Sequence, residues 1–172
     1  ESAQRTLHRL NPDIHVIGLP RRLSDAELGA EAERADVVLD CSDNFATRFA
    51  VNTACVKAQT PLVSGAVIRF EAQLAVFDAR LPDSPCYHCL YPDTPEAELE
   101  QTCARNGVIA PLPGMIGSFQ ALEAMKVVLG IGPRAAGRLR VFDAITLEWH
   151  VLRLPKHPQC PACSADRSAP HR

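Results

Sequence analysis

Apolar positions in this chain follow two periods, which divide it into short helices and strands. Residues 3–10 carry the apolar spacing of a helix that stops at Asn11-Pro12. Residues 14–19 predict a short strand. Ser24 and Glu27 form a capping box, which opens a helix running to about Arg34. The run Val37-Val38-Leu39 predicts a strand buried on both faces. A helix over residues 44–57 follows, with Phe45, Phe49 and Val56 on one side. Strands are predicted from Pro61 and over residues 73–77. In residues 115–129, Ile116, Phe119, Leu122 and Met125 recur every third position, and Gly130 is placed to end that helix. Residues 138–143 and 147–154 predict two closing strands.

The first half therefore reads β-α-β-α-β, which requires parallel strands with right-handed crossovers. The second half reads as antiparallel. The expected fold is α/β with a Rossmann-like mixed sheet, parallel first and antiparallel later. Residues 1–163 form one expected domain, and residues 164–172 a polar tail.

Four cysteines add chemistry to this outline. Cys86-Tyr-His-Cys89 and Cys160-Pro-Ala-Cys163 are two knuckles of identical spacing, each beside proline. Together they supply four thiolates for a structural zinc ion. Closing the chain between them costs roughly 4 kcal/mol, against about 10–16 kcal/mol from structural zinc. Two disulfides or two redox pairs are the alternative. His88, inside the first knuckle, is expected at the surface, because four thiolates complete the metal shell.

In open α/β sheets, ligands sit beyond the carboxyl ends of parallel strands, here at Ser42-Asp43-Asn44. Asp43 could hold magnesium beside a nucleotide phosphate, with Asn44 bonding the ligand. Alternatively, Asp43 or Ser42 simply caps the helix. Cys103, outside both knuckles and next but one to Arg105, is a candidate reactive thiol or an incidental one. Cys41 and Cys55 are expected in the core. Trp149 reads as strand packing, and Glu123 with Lys126 as a solvated pair.

A net charge of −2 gives no reason to expect nucleic acid or an anionic membrane surface. No apolar run reaches membrane-spanning length. Seven cysteines, an odd number, without a secretory signal point to the cytoplasm. A Gly-x-Gly-x-x-Gly or Walker-type loop is absent.

In combination, several motifs resemble the ThiF, MoeB and HesA family, bacterial relatives of the ubiquitin-activating enzymes. They are Asp36-Val-Val-Leu-Asp-Cys-Ser-Asp-Asn44, Ala46-Thr-Arg48, Pro61-Leu-Val-Ser-Gly-Ala66, Gly117-Ser-Phe-Gln-Ala-Leu-Glu-Ala124 and the two knuckles. The resemblance implies Mg-ATP-dependent adenylation of the C-terminal glycine of a ubiquitin-like sulfur carrier, ThiS or MoaD, for thiamine or molybdenum-cofactor biosynthesis. It implies Asp43 and Asn44 at the nucleotide and magnesium site. Cys86, Cys89, Cys160 and Cys163 become the zinc ligands, and Cys103 the loop cysteine of a thioester or acyl-disulfide step. Residues 93–107 would be a crossover loop over the carrier's tail. The family is usually dimeric, and a sulfurtransferase or cysteine desulfurase is a candidate further partner. The chain departs from the family pattern at its start, which lacks the Gly-rich loop, the ribose-binding acid, the arginine cluster and a phosphate-binding lysine. It is thus expected to be an N-terminally truncated member with little activity alone, and with an open sheet edge. A non-catalytic, zinc-stapled module that docks a ubiquitin-like carrier is the alternative. Asn106 and Pro113 stand where the family has small or aliphatic residues.

Overall fold

A computed structural model describes residues 1–92, 106–132 and 135–164. Helix α1 (Ser2–Leu10) ends at Asn11, as expected. Helix α2 (Asp25–Arg34) begins with the predicted box, in which the Ser24 side chain accepts from the Glu27 amide and Glu27 accepts from that of Ser24. Strand β1 (Val38–Asp40), helix α3 (Phe45–Ala58), β2 (Leu62–Ile68) and β3 (Glu71–Phe77) follow. The short α4 (Tyr87–Leu90), the long α5 (Pro111–Leu129), β4 (Arg138–Asp143) and β5 (Glu148–Arg153) complete the described chain.

The five strands lie in chain order in one mixed sheet. β1 and β2 are parallel, and every later pair is antiparallel. Alternation along the strands sorts the core into two layers. Val63, Leu74 and Val76 meet Leu112, Ile116 and Ala124 of α5 on one face. Leu62, Ala75 and Phe77 meet Cys55 and Tyr87 on the other, with Phe45 and Phe49 packed against them.

Residues 14–19 form no strand, so the parallel part of the sheet is one strand pair rather than three strands. Among the described residues this segment has no ladder partner, and Ile17 is 65% exposed. A lone strand leaves its backbone groups to water. β1 is an edge strand, and Leu39 is 40% exposed rather than buried on both faces. α5 starts at Pro111, four residues before the predicted start at residue 115, because proline suits the first turn, where amides have no partner anyway. It ends at Gly130, whose φ of 65° is the left-handed cap expected there. Asn106 acquires a role, since its Oδ1 accepts from Arg69 at 3.2 Å. Cys103, most of the predicted crossover loop and nearly all of the predicted tail lie outside the described residues.

Candidate functional site

The site at the end of β1 is built around Asp40 and Arg48. Asp40 is buried and accepts from the Ser42 amide at 2.9 Å and the Ser42 hydroxyl at 2.7 Å. This turns the chain sharply after β1. Arg48, on the inner side of α3, reaches back to the same place. Its guanidinium lies 3.5 Å from the Asp40 carboxylate and donates to the Gly65 carbonyl at 3.1 Å and to the Ser42 carbonyl. Both side chains are nearly dry, 7% and 2% exposed. A buried ion pair holds only when further hydrogen bonds satisfy it, and here four groups converge.

Gln120 of α5 locks the same strand ends from the opposite face. Its Nε2 donates to the Asp40 carbonyl at 2.8 Å and to the Val63 carbonyl at 3.2 Å. A Cβ at residue 65 would lie 2.4 Å from the Gln120 amide, so the Gly65 position has no room for a side chain.

On this support sits the loop to α3. Asn44 is the helix cap, its Oδ1 accepting from the Thr47 amide at 2.9 Å. The cap is therefore neither Ser42 nor Asp43. Ser42 is held by Asp40, and Asp43 is exposed, touching the Asn44 amide group at 3.3 Å. The arrangement leaves an exposed carboxylate at a helix start whose first amides lack intrahelical partners.

The four knuckle cysteines converge into a second site. All four Sγ atoms lie within 4.8 Å of one another. Individual separations are 4.0 Å for Cys86–Cys89, 3.6 Å for Cys86–Cys160 and 3.5 Å for Cys89–Cys163. A tetrahedron with metal–sulfur bonds of about 2.3 Å has edges of about 3.8 Å, so the spacing fits one tetrahedral ion. It does not fit disulfides, whose sulfurs lie about 2.05 Å apart. The contact between the two sulfurs draws the pKa of Cys89 down to about 4 and drives that of Cys86 up. Burial and Cys89 push Cys163 up to about 12. A bound cation is what would allow four thiolates to share this volume. The His157 amide, 3.4 Å from Cys89 Sγ, offers the hydrogen bond that a ligating thiolate accepts.

Three other expectations change, and those for Cys55 and Trp149 hold. His88 is half-buried, stacked on Phe49 with ring centroids 4.4 Å apart. Cys41 is exposed at the strand end, 3.6 Å from Gln120 Oε1, whereas Cys55 is buried with its pKa pushed up to about 12 by burial. Lys126 pairs with Glu123 at 2.8 Å, but Glu123 is buried and also faces Arg140 at 4.0 Å, so this is no solvated pair. Trp149 packs edge-on against Phe119 at 5.2 Å, as strand packing predicts. From sequence, Arg48 and Gln120 stand out only as members of the family-like motifs, and Asn52 not at all. The signal for two of them was a polar pair, i and i+4, on the otherwise apolar side of α3.

Among the described residues, no helix is long and apolar enough to cross a membrane. The family model described as "ThiF family" matches residues 1–162. The chain is 44% identical over 163 residues to the molybdopterin-synthase adenylyltransferase of Escherichia coli K12, covering 95% of this chain and 64% of that protein. It is 42% identical over 168 residues to the sulfur carrier protein ThiS adenylyltransferase of the same organism, covering 98% and 65%. The chain thus spans just under two thirds of the length of these relatives. Among solved structures, E. coli MccB with ATP superposes with a TM-score of 0.74 at 19% identity, over 93% of this chain and 48% of that one, a likeness of fold. The mixed sheet, the ordered motifs and the similarity along nearly the whole sequence lead to one assignment: this chain belongs to the ThiF family.

Proposed function

We propose that this chain serves the ATP-dependent adenylation of the C-terminal glycine of a ubiquitin-like sulfur carrier of the ThiS or MoaD type. The observation that carries the reading is the exposed Asp43 carboxylate, set beyond β1 at the start of α3 on a base fixed by Asp40, Arg48 and Gln120. A carboxylate is a poor electrophile, and its mixed anhydride with AMP has a good leaving group. In this reading Asp43 holds the magnesium of Mg-ATP, which would offset phosphate charge, and Asn44 orients the nucleotide while capping α3. The α3 amides face the phosphates.

The four cysteines bind structural zinc, and Cys103 takes part in a later covalent step with the carrier or a sulfur donor such as a sulfurtransferase or cysteine desulfurase. Leu122, Met125, Val128 and Leu129, exposed on α5, suit a second copy in a homodimer. Thiamine and molybdenum-cofactor biosynthesis are the two pathways such carriers serve, and a reducing cytoplasm suits the free thiols.

The test is Mg-ATP binding by calorimetry to the protein and to Asp43→Ala. Loss of magnesium-dependent binding in a folded variant supports the assignment. Unchanged binding removes Asp43 from the nucleotide site.

A further inference from the structure

The opposite ends of the strands carry a second feature. Asp43 lies three residues beyond the last residue of β1, whereas Leu62, the first residue of the parallel strand β2, lines a hollow of about 370 Å³ at the other end. A second hollow, of about 610 Å³, opens beside it along the ends of β4 and β5. Leu81, Ser84, Pro85 and Lys156 line both, so the two hollows adjoin and are taken together as one groove.

The groove is basic. Lys57 lines one part, Arg138 and Arg153 the other, and Lys156 both, while Asp83 is the sole carboxylate of its lining among the described residues. Among the described side chains, four cations face one carboxylate, with Cys86 and Cys163 also lining the first hollow, whereas the whole chain carries −2. Arg138 and Arg153 are register partners on β4 and β5. Like charges directly opposite in an antiparallel pair repel. No carboxylate of the described residues pairs with either arginine or with Lys156, whose Nζ donates instead to the Pro82 carbonyl at 2.8 Å. An anionic occupant would relieve that repulsion.

We propose that this groove docks an extended acidic polypeptide segment of a partner protein. A single small anion would fill little of two joined hollows. A nucleic acid would meet the unfavourable field of a net negative chain. Leu81, Pro85 and Leu154 line the same hollow as Arg138, Arg153 and Lys156, which suits a peptide that carries both acidic and apolar side chains. The inference goes beyond the adenylation reading and stands apart from it, because the groove lies at the other end of the strands from Asp43.

The test is fluorescence anisotropy with the zinc-loaded protein and a labelled ten-residue peptide of alternating Glu and Leu, against its Gln–Leu counterpart. The Glu peptide should bind about tenfold more tightly, and Arg138→Gln/Arg153→Gln should remove most of that factor, as expected when two exposed ion pairs are lost. Lys57→Gln, at the far end, should weaken binding by a smaller factor, and serves alone if the double variant does not fold. Equal binding of the two peptides overturns the proposal. So does wild-type affinity in the folded variants, or an oligonucleotide that binds more tightly than the Glu peptide.

Discussion

The side chain of Asn52 accepts a 2.8 Å hydrogen bond from the Tyr87 amide, which ties the middle of α3 to the first cysteine knuckle. The same helix begins at Asn44 and Asp43, so one rigid element joins the two candidate sites. Asn52→Ala leaves the Tyr87 amide buried without that partner. We expect a loss of about 1–3 kcal/mol in denaturant unfolding. Because the amide lies between Cys86 and Cys89, zinc competition should also show weaker metal retention. Unchanged stability and retention together would mean that the bond does not hold the knuckle.

Arg48 and Asp40 form the dry base of the nucleotide-proposed site. Arg48→Met leaves Asp40 buried with its hydroxyl and amide donors from Ser42 but without a cation. Breaking such a pair costs about 3–5 kcal/mol. Chemical denaturation would read the loss directly, and a change under about 1 kcal/mol would mean that water replaces the arginine.

Gly65 is set by the approach of Gln120. Gly65→Ala should destabilise by about 1–3 kcal/mol, because the added methyl forces Gln120 off its two carbonyls. Gln120→Ala removes the obstruction and those bonds together. The double variant should therefore cost less than the sum of the single ones, a coupling that a thermodynamic cycle measures. Simple additivity would show that the clash is relieved elsewhere.

The cysteine cluster predicts one zinc per chain. Purified protein assayed by elemental analysis should show that ratio, and Cys160→Ser should lower it sharply, since Cys160 is a buried member of the four. Chelation should lower the unfolding temperature substantially, because a metal held there would clip two segments 71 residues apart (Cys89 to Cys160). Full stability after metal removal would make the cluster incidental.

What was legible in the sequence was local. The Ser24–Glu27 box, the Gly130 cap and the two knuckles each depend on residues within a few positions of one another. The antiparallel half was legible because apolar alternation marks its strands. What was not legible depends on distant partners. Residues 14–19 have the composition of a strand, but pairing is decided by a neighbour, and the described chain supplies none. Leu39 is exposed for the related reason that β1 lies at the sheet edge. Arg48, Asn52 and Gln120 bond residues up to 80 positions away, so their burial leaves only a weak local mark, a polar residue on an apolar helix side. Cys41 looked like core because its neighbours are apolar, yet the turn made by Asp40 and Ser42 brings it out to the surface.

Carrier-dependent ATP–pyrophosphate exchange tests the central claim most directly, with ThiS-type and MoaD-type carriers offered separately to the zinc-loaded protein. In line with the little activity expected of the chain alone, the account predicts weak exchange, above the carrier-free level with one carrier only, abolished by Asp43→Ala and retained in Arg138→Gln/Arg153→Gln. Exchange that persists undiminished in a folded Asp43→Ala protein would contradict it.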